Sequence, residues 1–528
     1  MEFHKLLRYS LISGSIAILA ACSSADTATT PVTPVTPTTV TISGSIFASD
    51  VGSASVTVKK TDGTTVAGPV TTNSDGTYSI DLLDTDLATD LVVESTGGGF
   101  VDEETDLNAT AGSMSAYVEG GSLAAGDSVH VTPGTTIHAD LITNHGKTPT
   151  EAQTTFFTAF AYNPDYTVDP VDITDPASNN ADDASKLAGW RAAVLSRLAS
   201  DLGLTPEQQF DMFAAMAQDL SDGDMDGADA SGPVLVGSTG VTTPTLANYI
   251  STTDSFNTAE IANLEITYSP PNMNVHGKNV FKLTIMNTTG GGAATPVTGL
   301  VPGTDLMVMP MMYMADRIHS TPMGGITELG NGEYEVTAYY LMPSRMMDGT
   351  TMGTWDLKVT ANMQTVHFYP NIDMAMMNNT VRVQLKGVDD TIIDMNGLEV
   401  PRNYNLFRDG LSQQSTGSTY DFDVFIAPME NMMSFPALVD GMTLTSGMGG
   451  TPYDVNGITV EASVDGGITW NTGSTGVTDG VWSFNDLNLN ITPGFTNEIR
   501  VKLMVSGETK TDGGLATDPD FQTFNVTF

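Results

Sequence analysis

The sequence predicts a mainly β protein, a row of β-sandwich domains with one small helical insert. Three observations lead there. Short runs in which apolar and polar residues alternate, bounded by Gly, Asp, Asn and Thr, recur from Val40 to Val131 and again from about Ile261 to the end. Helical spacing is confined to the piece between them. The length, 528 residues at 40% hydrophobic, is more than one core supports. The expected divisions are a signal segment at 1–22, a Thr/Pro-rich linker at 23–39, a β-sandwich at 40–130 and a helical module at 131–233. A linker at 234–258 then leads to three further sandwiches at 259–362, 363–438 and 439–528.

The first segment explains the single cysteine. Met1–Ser10 carries Lys5 and Arg8, Leu11–Ala20 is mostly apolar, and Leu19-Ala20-Ala21-Cys22 follows. The apolar run is too short to span a bilayer as a helix. These residues resemble a bacterial lipoprotein signal with its lipobox. The resemblance implies lipidation of Cys22 and, with Ser23 rather than Asp behind it, sorting to the outer membrane, on its periplasmic or cell-surface side. The lipid membrane is then a partner through acylated Cys22. With no second cysteine, an intrachain disulfide, a Cys-based zinc site and a CxxCH haem attachment are excluded. The run TPVTPVTPTT before Val40 has no helical period and reads as an extended polyproline-like stalk.

Charge narrows the partners. Asp and Glu number 62 against 20 Lys and Arg, a net charge of −42, and the imbalance comes mainly from missing bases. Nucleic acid and anionic membrane faces are repelled, so cations are the natural partners.

From Val40 the strands VTISGSIF, ASVTVKK and TYSIDL run between turns at Asp62-Gly63 and Asp75-Gly76. Their order resembles the carboxypeptidase regulatory-like β-sandwich, a non-catalytic prealbumin-like module, as far as Leu83; the resemblance implies architecture only. Helical composition begins at Thr150–Ala159. Across Asp183–Leu202 the residues Leu187, Trp190, Val194, Leu198 and Leu202 recur every three to four positions. Thr205-Pro206-Glu207-Gln208 reads as a helix start, with Thr as N-cap, Pro at N1 and Gln closing a capping box. Behind that helix, Asp222, Asp224 and Asp226 with Gly227 match the first half of an EF-hand-type Ca²⁺ loop, and Asp229 extends it. The twelfth position is Pro233, where a bidentate Glu is expected. The segment from His130 to Gly227 also resembles a helical module of bacterial surface lipoproteins.

Methionine is the most unusual feature. Sixteen of the 28 methionines lie between Met273 and Met377. On a strand, Met307, Met309 and Met311 share one face, while Met312 and Met314 project from the other. Pro310 removes a ladder donor, so this stretch is expected at an edge or bulge. His319 and Met323 follow. Met342, Met346, Met347 and Met352 form a second loop cluster, and His367 precedes Met374, Met376 and Met377. Thioethers with an imidazole suit Cu(I), whereas hard cations ignore them. The same residues equally serve as core filler, as an adaptable protein-binding surface or as a sink for oxidants.

Around these methionines, Gly277, Asn279 and Phe281 open one strand, Gly332 and Tyr334 another, and Gly353, Trp355, Leu357 and Val359 a third. With Met307 to Met314 between them, they resemble the FixH/YtkA-like family of extracytoplasmic immunoglobulin-like domains. Lys278, between Gly277 and Asn279, departs from the family's pattern. The resemblance implies an immunoglobulin-like sandwich and copper handling.

In the last segment Ser463-Val464-Asp465-Gly466-Gly467-Ile468-Thr469-Trp470 fits an Asp-box hairpin, in which Asp caps the turn and Trp packs beneath. A single copy is structural. Catalytic signatures are missing: there is no G-x-S-x-G, H-E-x-x-H, P-loop or dinucleotide fingerprint, so neither a nucleotide nor an enzyme is expected. His130, His138, His145 and Asp140 cluster in sequence, with His138 and Asp140 on one face if extended. The functional expectation is an outer-membrane-anchored lipoprotein that binds Cu(I) for sequestration or delivery. The alternative is a non-catalytic surface or adhesion protein with sandwich spacers, Ca²⁺ stiffening and other envelope proteins as partners.

Overall fold

Alternation becomes sheet from Thr39 onward. The computed structural model describes residues 38–289, 293–414, 419–445, 447 and 451–528. The signal segment, Cys22 and the stalk up to residue 37 lie outside the described residues. Strands β1 (Thr39–Ser45), β2 (Ser55–Lys60), β3 (Thr65–Thr71), β4 (Thr77–Leu83), β5 (Leu91–Thr96) and β6 (Ser113–Val118) build the first sandwich. In it β1 pairs with β4, and a second sheet runs β3-β2-β5-β6. Inward residues of both sheets, among them Ile42, Ile80, Val56 and Val93, share one core. Both expected turns are present: Gly63 and Gly76 adopt positive φ (86° and 72°), and Asp62 and Asp75 accept from Thr64 and Thr77 backbone N–H.

Among the described residues five α-helices follow: α1 (Pro133–Thr143), α2 (Pro149–Phe160), α3 (Asp183–Asp201), α4 (Gln209–Asp219) and α5 (Leu246–Ser255). Reciprocal Thr132/Thr135 and Thr148/Glu151 boxes cap α1 and α2. The start expected at Thr205 is displaced. Thr205–Gln208 is a turn in which Gln208 N donates to Thr205 O, and α4 begins at Gln209 with only the Gln208 Oε1 to Thr205 N half of the box formed. The helices and the first sandwich share a single core, in which Phe210 meets Phe100 edge-on at 5.6 Å. The span 234–258 is not a linker. Val234, Val236 and Tyr249 are buried in that same core, and Thr245 with Asn248 caps α5.

The methionine-rich sandwich has β7 (Thr258–Ile261), β8 (Leu264–Ser269), β9 (Gly277–Asn287), β10 (Leu306–Tyr313), β11 (Ile318–Ser320), β12 (Met323–Gly330), β13 (Glu333–Tyr340), β14 (Thr354–Ala361) and β15 (Gln364–Phe368). Its sheets run β7-β8-β9-β13-β12 and β11-β10-β14-β15. The last sandwich contains β16 (Arg382–Ile393), β17 (Glu399–Gln413), β18 (Tyr420–Pro428), β19 (Ile458–Ser463), β20 (Val481–Leu487), β21 (Thr496–Val505) and β22 (Gln522–Thr527). Here β18 pairs with β20, and β19 and β22 both pair with β21. The division expected at 438/439 is therefore absent: strands from both spans share one sheet and one core, from Leu385 to Val526. Neither span buries both of its faces alone.

Polar and aromatic side chains join these bodies. The last carbonyls of α2 lack intrahelical partners, and Arg345, from the methionine-rich sandwich, donates to Thr158 O and Ala159 O at 2.5 and 2.6 Å. Lys358 pairs with Asp183 at 2.5 Å, and the rings of Trp190 and Tyr369 lie 3.8 Å apart. On the other side Tyr339 stacks on Phe425 at 3.9 Å and donates to Asp409.

Two stability predictions follow from these contacts. A Cβ at Gly189 of α3 would sit 1.8 Å from Val171 O. Gly189→Ala, which gains about 1 kcal/mol in an open helix, is expected here to lose about 1–3 kcal/mol by overpacking. A Tm equal to or above wild type contradicts this. In the last sandwich Asp390, Arg402 and Lys510 are buried together, Arg402 Nε donating to Asp390 at 3.0 Å. Asp390→Asn leaves the guanidinium uncompensated and is expected to lower the stability measured by urea unfolding by about 3–5 kcal/mol. An unchanged midpoint contradicts that.

Candidate functional site

The pleat of β10 sorts its methionines. Leu306, Pro310 and Met312 face inward and are buried, whereas Met307 and Met309 are exposed and Met311 is partly covered. β14 pairs with the whole of β10, but β11 covers only Met311–Tyr313, so Met307–Pro310 is a free edge among the described residues. Pro310 lies in this open half, where no partner needs its missing donor. Met312 lies in the half paired on both sides and is fully buried. The Met307, Met309 and Met311 trio and Met312 thus face different surroundings.

His319 is brought to Met312 by register. The two are direct partners across β11 and β10, and Met312 is in turn opposite Trp355 on β14. Directly opposed residues have Cβ atoms about 4.5–5.5 Å apart on one face, so imidazole, thioether and indole form a row turned into the core. His319 is 3% exposed, and its ring meets Trp355 edge-on at 5.4 Å. Its Nδ1 lies 2.7 Å from Ser320 O. A carbonyl only accepts, so Nδ1 carries the proton and Nε2 presents a lone pair. That Nε2 is buried and has no hydrogen-bond partner. Burial, with Arg382 and Arg317 nearby, holds the ring below the ordinary histidine range despite the Ser320 bond, and so keeps it neutral.

The remaining sulfurs divide the same way. Met314, Met323, Met342 and Met352 pack against the core that contains Met312, and Trp355 Nε1 donates to Met342 O at 3.1 Å. Met346, Met347, Met376 and Met377 are exposed, and Met374 is partly covered. His367 does not join them. Its Nδ1 lies 2.9 Å from Asp356 Oδ1, its Nε2 lies 3.5 Å from Asp183 Oδ1, and its side chain is buried between these carboxylates. Proximity in sequence missed His276, whose Nδ1 accepts from Ala375 N at 3.1 Å.

The acidic loop is held by a residue that the motif did not include. Asp219 is buried and accepts N–H groups from Gly227 and Ala228 at 3.0–3.2 Å. Asp226 and Asp229 cap turns through Ala228 N and Ser231 N, and Asp222 and Asp224 remain outward. Among the described residues no three His, Cys, Asp or Glu side chains gather closely enough to hold a metal ion. His138 and Asp140 lie on helix α1, not on a strand, because Thr132 and Pro133 start a helix there. His130 has Ser45 Oγ at 2.8 Å and Asp169 Oδ1 at 2.9 Å. Both partners meet the same nitrogen, Nδ1, whereas a catalytic triad divides nucleophile and carboxylate between the two ring nitrogens. The Asp-box turn forms as expected: Thr469 Oγ1 and N, Ser463 Oγ and Ile468 N donate to Asp465, whose carboxyl is held well below the usual range.

No protein-family profile and no curated protein sequence matches the chain. Among solved structures it is similar to InvD of Yersinia pseudotuberculosis, at 14% identity over 50% of this chain and 57% of that one, with a TM-score of 0.15. It is also similar to domains 4–9 of the surface layer protein SbsC, at 14% identity over 57% and 41% of the two chains, TM-score 0.15. A three-domain titin fragment aligns at 9% identity over 46% of this chain and 94% of its own, TM-score 0.13. The chain thus spans little more than half of InvD, and TM-scores of this size transfer no function.

A pH prediction arises from two acids, the surface Asp50 and the buried Asp219. Desolvation pushes Asp50 up to about 6, with Asp172, Asp75 and Asp169 adding to it. Burial likewise pushes Asp219 up to about 6, against its backbone hydrogen bonds. Both bind a proton more tightly folded than unfolded, where the value is 3.8. Their stabilising contribution is therefore complete below about pH 4 and is lost as pH rises through about 6. Tm is expected to be higher at about pH 5 than at about pH 7.5, with a smaller difference in Asp50→Asn. A Tm that rises toward neutrality contradicts this.

Proposed function

We propose that the chain is an extracytoplasmic, outer-membrane-anchored protein that binds a soft monovalent metal ion, Cu(I), through the inward row of the methionine-rich sandwich. The observation that carries this reading is the buried, unpartnered Nε2 of His319 beside Met312. An orphaned buried nitrogen costs free energy unless something satisfies it. Its Nδ1–H is fixed on a backbone carbonyl, the arrangement that sets a metal-binding imidazole's tautomer. The neighbouring donor is a thioether, which soft ions accept and Ca²⁺ or Mg²⁺ do not. The other inward sulfurs, those of Met314, Met323, Met342 and Met352, pack against the same core and are the candidates for a further ligand. The exposed Met307 and Met309 stand in water and would serve at most as a capture surface.

The second reading, a surface spacer with no metal, draws support from the junctions made by Arg345, Lys358 and Tyr339, which tie neighbouring bodies together. Both readings leave the protein non-catalytic. They part at the copper.

Competition for Cu(I) against a chromophoric chelator under reducing conditions separates them. Met312→Leu conserves core volume, at a cost under about 1.5 kcal/mol. It and His319→Gln are each expected to weaken Cu(I) binding by about tenfold or more, while Met307→Leu/Met309→Leu stays near wild type. Equal copper affinity in wild type and in the Met312/His319 double variant sinks the proposal. A loss confined to the Met307/Met309 variant would overturn the inward assignment.

A further inference from the structure

Among the described residues Arg191 is a cation without an anion, in a chain that has three acids for every base. It lies on α3 with its guanidinium carbon 4.0 Å above the Tyr162 ring. Its Nε is buried without a hydrogen-bond partner, and it makes no ion pair or hydrogen bond among the described residues. Its electrostatic neighbours are the tyrosines Tyr162, Tyr249, Tyr369 and Tyr313. Burial lowers its pKa, yet a guanidinium stays protonated at any ordinary pH. This charge lines a cavity of about 250 Å³ between the helical module and the methionine-rich sandwich, with Leu187, Ala188, Tyr313 and Met314 among its walls. Asn163 lines the same cavity, and its Oδ1 is a second buried polar atom without a partner.

We propose that this cavity binds a small organic acid: one carboxylate on Arg191 and a neighbouring N–H or O–H donor on Asn163 Oδ1. Stacking on Tyr162 occupies the face of the guanidinium and leaves its edge for a bidentate carboxylate. A single cation matches a monoanion. Asp165 in the wall and the chain's net charge of −42 disfavour phosphate or sulfate dianions. The Ala and Leu lining suits an apolar body, and the volume, below the ~300–1,000 Å³ of drug-sized sites, suits one of amino-acid or hydroxy-acid size. Nothing here depends on copper, because the cavity and the His319 row use different side chains.

The test is calorimetric titration and thermal shift of the full chain with L-leucine, L-lactate and acetate, and with sulfate at matched ionic strength. L-leucine or L-lactate is expected to bind saturably and raise Tm, acetate more weakly because it lacks the donor, and sulfate not beyond its salt effect. Arg191→Gln is expected to weaken binding by about tenfold or more. Ala188→Leu, which fills the cavity and leaves the guanidinium in place, should do the same and covers the case in which Arg191→Gln does not fold. The proposal is overturned by no saturable binding of either acid at roughly tens of millimolar, by an unchanged affinity in a folded variant, or by sulfate binding as well as the organic acids.

Discussion

A β-strand can bury only every second side chain on a given face, and in β10 this period decides what the methionines can do. Register with β14 sets Leu306, Pro310 and Met312 opposite Ala361, Leu357 and Trp355, all of which are buried. A slip of one residue would turn Met307, Met309 and Met311 into the core and expose Met312, so the packing of β14 holds the assignment in place. The short β11 then adds His319 at the one position where its ring joins the inward row. The metal reading depends on this register more than on the number of sulfurs.

The scarcity of cations shapes the rest. With 20 bases to 62 acids, most carboxylates face water or cap turns, as Asp62, Asp75 and Asp465 do. Several of the bases instead occupy junctions and interiors. Arg345 closes the carbonyl end of α2, Arg402 and Lys510 share Asp390, and Arg191 lies over the Tyr162 ring. Sites shielded from solvent are screened little by salt, so these contacts should persist at ionic strengths that erase surface pairs.

Much of the architecture could be read locally. The strand runs, the Asp-Gly turns, the Asp-box and the spacing across α3 are patterns within a few residues, and each appears where its residues predict. Local pattern does not suffice where the deciding contact is distant. Val234, Val236 and Tyr249 look like linker because their partners lie in the helical core, and strands on either side of 438 look like two domains because their pairing spans β18 and β20. His367 is close in sequence to Met374 to Met377, but Asp356 and Asp183 hold its ring. Asp219, three residues before the first aspartate of the acidic motif, carries no signal in sequence because its partners are backbone N–H groups of Gly227 and Ala228, eight and nine residues further on.

The sequence by itself determined the class of the protein, since alternation and turn chemistry are short-range and the sandwich is how alternating faces escape water. It also determined that soft donors are concentrated in one domain. Only the tertiary structure decided which of those donors are buried together, that His319 holds its proton on Nδ1 and leaves Nε2 open, and that Arg191 meets no counter-ion among the described residues. Those outcomes depend on pairing register and on what lies across an interface, which is information held by residues far apart in the chain.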